Sequence, residues 1–306
     1  MHITTPLLTS AALSATARTT VALKMEALQP SGSFKIRGIG ALCAHHAARG
    51  RTRFISSSGG NAGLAAAYAG RMLGLPVTVF VPETTTPRAA DLIRQQGAEV
   101  IVHGASWQEA NASAQDALDT DAAFIHPFDD PIMWRGHASM IDEAVAQGDP
   151  FDAVVLSVGG GGLLCGVAEG LARNGLADVP ILAVETEGAA SLGAAVAAGE
   201  LVELDAIRSV ATSLGARQVA RAAFELTRTR PVTPVTVTDA QAVSACLRFL
   251  DDARVLVEPA CGAALSLAYD RPDLLAPYAR VLMIVCGGAT ATLAQLQTWA
   301  REVGAA

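Results

Sequence analysis

The chain has 306 residues, 51% of them apolar and 17% charged, so it can bury a sizeable core and is not a disordered segment. Its formal net charge of −7 argues against nucleic acid or an anionic membrane as main partner, although backbone dipoles can still hold a small anion. The five cysteines, at 43, 165, 246, 261 and 286, are odd in number and contain no C-x-x-C, which suits free thiols in a reducing cytoplasm.

No basic stretch followed by an apolar one opens the chain, so no secretory signal is expected. No apolar run crosses a membrane's width without charged or turn residues. In chain order, residues 20–25 read as a short strand leading into Pro30-Ser31-Gly32-Ser33-Phe34-Lys35-Ile36-Arg37-Gly38, and 35–49 read as a helix. Strands are expected at 54–56, 76–81, 98–102 and 122–125, alternating with helices through about 73, at 87–96 and at 106–119. That alternation predicts a parallel α/β unit. The turn-rich His126-Pro127-Phe128-Asp129-Asp130-Pro131 interrupts it.

A second run follows, with a helix at 132–147, a strand at 154–158, a helix at 163–173 and a strand at 181–184 ending at Glu185. Helical segments are expected near 188–198, 216–228, 239–252 and 259–269, the third capped by Thr238 or Asp239. A buried strand at 281–285 and a helix at 289–302 close the chain. Two such units should meet at a cleft, with strand C-termini supplying ligand loops.

Lys35 opens an apolar helix just after a turn of small hydroxyl residues. An amine held there can form a Schiff base if its pKa falls or a carbonyl partner is delivered. Ser31 or Ser33 can cap the helix and leave amides free for an anion, while Phe34 offers a flat apolar face. An ordinary helix start with a solvated lysine is the alternative.

Four loops share one design, an apolar strand, then small residues, then a helix: 57–63, 159–162, 185–191 and 286–292. In the second, Gly159, Gly160, Gly161 and Gly162 remove every Cβ, so their N–H groups can curl around a dianion. A tight turn is the alternative. Neither G-x-x-x-x-G-K-[ST] nor G-x-G-x-x-G is satisfied, although Glu185 ends the next strand as a ribose-binding acid would. Ser57, Ser58, Gly59, Gly60 and Asn61 can hold a carboxylate, with the Asn61 amide reaching a phenolic oxygen. An N-cap by Asn61 or Ser58 is the alternative. Cys286 is either a buried small hydrophobe or a functional thiol at a strand end. The histidines show no metal spacing, and no G-x-S-x-G is present.

Taken together, Pro30 to Gly38, Ser57-Ser-Gly-Gly-Asn-Ala-Gly63, Ser157-Val-Gly-Gly-Gly-Gly-Leu-Leu164 and Val285-Cys-Gly-Gly288 resemble the loops of the fold-type II pyridoxal-phosphate enzymes, in order and spacing. Within them the chain resembles the serine/threonine dehydratases, and His126 to Pro131, Val257-Glu-Pro-Ala-Cys-Gly-Ala-Ala264 and Cys286 resemble the short catabolic L-serine dehydratases. Gly59 stands where that branch often carries alanine. The resemblance implies an α/β fold of two open twisted parallel-sheet domains, tryptophan-synthase-β-like, with the cofactor in the cleft between them. The large domain would be 1–29 with 131–306, and the small one 30–130.

It also implies site roles. Lys35 would carry pyridoxal 5′-phosphate as an internal aldimine and then act as the base at Cα. Phe34 would stack on the ring, Asn61 would bond its O3′, and Cys286 would lie near its nitrogen. Gly159, Gly160, Gly161, Gly162 and Leu163 would hold the phosphate. Ser58, Gly59, Gly60 and Asn61 would hold the substrate carboxylate. Glu185, Ala189, Ser191, Leu214 and Ala216 align with positions around a monovalent cation, K+ or another. The implied activity is L-serine ammonia-lyase, giving pyruvate and ammonia, with L-threonine as second substrate giving 2-oxobutanoate. A racemase or β-replacement enzyme of the same fold, or a cofactor-binding protein with little turnover, are the alternatives. A cytoplasmic homodimer is expected, with a small amino acid as substrate and neither nucleic acid nor membrane as partner.

Overall fold

The computed structural model describes residues 1–305. Its strands are β1 (Leu7–Thr9), β2 (Thr20–Lys24), β3 (Arg53–Ser56), β4 (Val77–Val81), β5 (Glu99–Val102), β6 (Ala122–Phe124), β7 (Ala153–Ser157), β8 (Ile181–Thr186), β9 (Val232–Val237) and β10 (Arg280–Ile284). They form a six-stranded sheet of order β1-β2-β10-β7-β8-β9 and a four-stranded sheet of order β5-β4-β3-β6. Every pairing is parallel except β1 with β2. The four-stranded sheet uses only residues 53–124. Parallel strands need helical crossovers, so both faces are covered and the central strands become continuous apolar runs. Ala153-Val-Val-Leu-Ser157 in β7 is buried at all five positions.

The crossover helices lie close to the sheets because their inner faces are small. Helix Asn61–Leu73 buries Ala62, Ala65, Ala66 and Ala69, and helix Pro259–Asp270 buries Ala260, Ala263, Ala264 and Ala268. Helix Lys35–Ala47 packs against helix Pro131–Gln147 at Gly38 and Gly136. A Cβ on Gly136 would stand 2.5 Å from the Arg37 carbonyl oxygen, so the two backbones touch.

At the root of helix Lys35–Ala47 sits a buried charge cluster. Arg37, 0% exposed, donates two hydrogen bonds to Glu26 at 2.7 and 2.8 Å and two to Glu143 at 2.7 and 2.6 Å. Lys24 Nζ donates to Glu143 at 2.7 Å, to the Thr5 carbonyl at 2.7 Å and to Gln147 at 3.0 Å. Burial works against the Arg37 charge, yet its hydrogen bonds to Glu26 and Glu143 raise its pKa above the ordinary value. The cluster ties the N-terminal segment, β2 and helix Pro131–Gln147 to the helix that begins at Lys35.

Several elements differ from the sequence reading. β1, helix Ala11–Ala17 and β9 add to it. The final helix begins at Leu293 rather than 289, because Thr292 forms a capping box with Gln295. The segment expected at 216–228 is helical only over Arg221–Thr229.

Candidate active site

The lysine turn is docked onto the loop that follows β10. Phe34 N donates to the Cys286 carbonyl at 3.1 Å, Gly288 N donates to the Gly32 carbonyl at 2.9 Å, and Ser33 bridges Gly287. The expected hydroxyl cap is not made. Phe34 is the N-cap with no side-chain hydrogen bond, and the buried Ser31 and Ser33 hydroxyls have no partner among the described residues. The reason is the backbone docking, which spends this turn on the Cys286 loop instead of on the helix end.

Lys35 Nζ donates to the Pro127 carbonyl at 2.7 Å and lies 5.2 Å from the centre of the Phe34 ring. Burial lowers its pKa from 10.5 to about 8, partly offset by Cys286 and Glu258. Its neutral fraction near neutrality is therefore far above that of an ordinary lysine, and the neutral amine is what attack on an aldehyde needs. Phe34 in turn rests against His137, with ring centroids 4.8 Å apart.

Asn61 is buried at the start of its helix, with Gly60 as N-cap. It does not cap that helix. Its Nδ2 donates to Glu258 Oε1 at 2.7 Å, and its Oδ1 accepts from Ala289 N at 3.1 Å. Ser58 Oγ accepts from Gly60 N at 3.4 Å, and Ser57 Oγ donates to Asn111 at 2.7 Å. A Cβ on Gly59 would lie 2.6 Å from Thr85 Oγ1, so Thr85 fills the room that an alanine there would take.

Cys286 is buried and held as a thiol. A hydrogen bond with Cys261 and burial push its pKa well above the ordinary value, with Cys246 and Glu258 adding to this. At the opposite end, among the described residues, none of the amides of Gly159, Gly160, Gly161 and Gly162 donates to a backbone carbonyl. Gly161 has φ +90° and leads into helix Gly162–Arg173, so these amides sit at a helix N-terminus. Leu163, the second residue of that helix, is buried in the main core. The free amides, the partnerless hydroxyls of Ser31 and Ser33, and a lysine with a lowered pKa fit a phosphorylated aldehyde.

Glu258 is the site residue that the loop motifs did not single out. It is 6% exposed and contacts Asn61, Ser213 and Thr290. Burial pushes its pKa up to about 7, opposed by those hydrogen bonds and by Lys35. A signal existed in the sequence, an acid directly before the proline that opens a largely apolar helix.

Glu185 ends inside β8 and lies buried. Its two oxygens accept from Leu192 N at 2.7 Å and Gly193 N at 2.8 Å, capping helix Ser191–Ala198. Burial pushes it up to about 7 while the two amides pull the other way. Ala189 and Leu214 are buried, the Ser191 hydroxyl is buried without a partner among the described residues, and Ala216 N donates to the Leu214 carbonyl at 2.8 Å.

The sequence profile described as "Pyridoxal-phosphate dependent enzyme" matches residues 1–287. The L-serine dehydratase/L-threonine deaminase of Mus musculus is 46% identical over 316 residues, covering 99% of this chain and 96% of that protein. The serine dehydratase-like protein of Homo sapiens is 47% identical over 314 residues, covering 99% and 95%. Among solved structures, a fungal L-serine ammonia-lyase from Rhizomucor miehei superposes with a TM-score of 0.94 at 38% identity, covering 99% of both chains. A family match of that span, with relatives alike over nearly the whole length, makes this chain a member of the pyridoxal-phosphate-dependent enzyme family.

Proposed function

We propose that the chain is an L-serine ammonia-lyase that converts L-serine to pyruvate and ammonia, and L-threonine to 2-oxobutanoate and ammonia. The observation that carries the reading is the neutral Cys286 thiol on the loop against which the Lys35 turn is docked. When bound, pyridoxal phosphate supplies the electron sink for the pair left behind as Cα loses its proton. A neutral thiol cannot hold a pyridine nitrogen protonated as a carboxylate can, so the sink is weak and early loss of the β-hydroxyl is favoured.

The residues divide the remaining work. The amides of Gly159, Gly160, Gly161 and Gly162, with Leu163 behind them, hold the phosphate. Phe34 would cover one face of the cofactor ring, and the Asn61 Nδ2–H would donate to its phenolic oxygen. Lys35 fixes the cofactor, then takes the Cα proton from an amine site whose pKa of about 8 suits a base at neutral pH. Ser58, Gly59, Gly60 and Asn61 receive the amino-acid carboxylate at the head of helix Asn61–Leu73.

Beside the site, Glu185 with the Ser191 hydroxyl and the carbonyls of Ala189, Leu214 and Ala216 offers hard oxygen ligands suited to K+ or a similar cation. A rise in thermal stability with K+ over a bulky organic cation tests this. The two domains are read as 1–29 with 131–306 and as 30–130. We read the assembly as a cytoplasmic homodimer, on five free cysteines and the exposed Ile3, Leu8 and Leu28. Sedimentation of the purified protein tests the dimer. No helix among the described residues is long and apolar enough to cross a membrane.

The deciding experiment is addition of L-serine to cofactor-loaded protein, with pyruvate and D-serine both measured. Pyruvate as the main product supports the lyase. D-serine without pyruvate overturns it in favour of a racemase.

A further inference from the structure

Glu258 stands where four parts of the cleft meet. Its carboxylate accepts from Asn61 Nδ2 at 2.7 Å. Ser213, beside the glycine loop, and Thr290, beyond the Cys286 loop, also lie against it. Gly288 has φ +131°, and a Cβ there would lie 2.3 Å from Glu258 Cγ and Cδ, so the loop backbone presses directly on this side chain. Its own backbone N donates to the Gly287 carbonyl at 3.4 Å.

The Asn61 amide is locked from both ends. Ala289 N–H fixes Oδ1 on one side and Glu258 fixes Nδ2 on the other. The second Nδ2 hydrogen has only a long 3.4 Å contact, with Ser213 Oγ. A flipped amide would set Nδ2 against the Ala289 N–H, and Oδ1 against Glu258 whenever that carboxylate is ionised, both repulsive contacts. We propose that Glu258 is a positioning residue: it holds the Asn61 amide so that an N–H, and not the carbonyl, faces the phenolic oxygen of the cofactor ring. This rests on the cofactor reading above. The groups facing Glu258 are Lys35 from helix Lys35–Ala47, Asn61 from helix Asn61–Leu73, Ser213, Thr290, and the thiols of Cys246 and Cys286. Lys35 is the cation among them, so Glu258 also bears on the amine that binds the cofactor.

A double-mutant cycle tests this, read by the dissociation constant of pyridoxal phosphate and by the pH dependence of its visible absorbance. Wild type must first show a visible band that Lys35→Ala abolishes, and a wild-type protein without that band overturns the cofactor reading itself. Glu258→Ala should weaken cofactor binding by about tenfold or more, the scale of a lost charge-assisted hydrogen bond, and move the pH midpoint of the band. Glu258→Gln still offers a carbonyl to Asn61 Nδ2 and should stay within about threefold of wild type, while shifting the midpoint through the lost charge. Asn61→Ala should reproduce the Glu258→Ala loss, and adding Glu258→Ala to it should cost little more. If Glu258→Ala fails to fold, Glu258→Gln with and without Asn61→Ala gives the same cycle through the band midpoint. Additive losses, or an unchanged midpoint and dissociation constant in folded Glu258 variants, overturn the proposal.

Discussion

The Lys35 amine donates to the Pro127 carbonyl oxygen at 2.7 Å, across the connector between the two sheets. A backbone carbonyl is a fixed acceptor, so the amine is parked where the lysine turn, the connector and Phe34 converge. Because burial lowers its pKa to about 8, the rate of covalent cofactor capture should rise about tenfold per pH unit below that value and flatten above it. Stopped-flow absorbance of cofactor-free protein mixed with pyridoxal phosphate measures this. The stability linkage has a definite sign. The folded state disfavours the protonated amine, so stability of the cofactor-free protein should be recovered as pH rises from about 8 to 10.5, and Lys35→Met should remove that rise. A capture rate that keeps climbing steadily past pH 9 would contradict the lowered pKa.

A Cβ on Gly160 would stand 2.3 Å from Phe128 Cγ. Gly160→Ala should therefore cost about 1–3 kcal/mol as overpacking, whether or not a phosphate binds there. Phe128→Ala in the same chain should relieve the steric part. The double variant should fold and still bind pyridoxal phosphate more weakly than Phe128→Ala alone. Equal affinities in those two proteins would leave the glycine loop as nothing more than a turn.

Arg37 makes paired hydrogen bonds to the fully buried Glu26 and to the mostly buried Glu143. Removing it strands the buried Glu26 and leaves Glu143 with Lys24 as its cation, so Arg37→Ala should destabilise the protein by about 3–5 kcal/mol in urea unfolding. Arg37→Lys should recover only part of this, since an ammonium cannot serve two carboxylates as a planar fork does. A loss below about 1 kcal/mol would mean that the cluster is solvated and energetically ordinary.

Cys286→Ser keeps a small neutral group on the docked loop and should retain pyruvate formation. Cys286→Asp should slow elimination by about tenfold or more, about 1.4 kcal/mol at the barrier, while racemisation gains relative to it. The new acid would sit near the buried Glu258, so the pair should share a proton in the absence of cofactor. Parallel assays of pyruvate and D-serine give the ratio. An unaltered ratio would separate Cys286 from the reacting ring.

The elements and the order of the ligand loops were legible in the chain because each follows from local pattern. Val154-Val-Leu-Ser-Val158 has the pattern of a central buried strand, and four glycines after it remove the side chains that would block an anion. β9 was not legible, because Pro234 interrupts Val232–Val237 and a proline argues against a central strand. Here β9 is an edge strand paired only with β8, where a missing N–H costs little.

Tertiary structure decided what the loops do to one another. Ser31 and Ser33 read as helix caps, yet the turn bonds the Cys286 loop instead, a contact between residues some 250 positions apart that no local pattern encodes. Asn61 read equally well as a cap or a ligand, and only the approach of Glu258 and Ala289 from the other sheet settled which way its amide faces. Motifs fix which chemical groups stand at the strand ends. Lowered or raised pKa values and oriented amides depend on what is buried against them, and burial is a property of the packed molecule rather than of the chain.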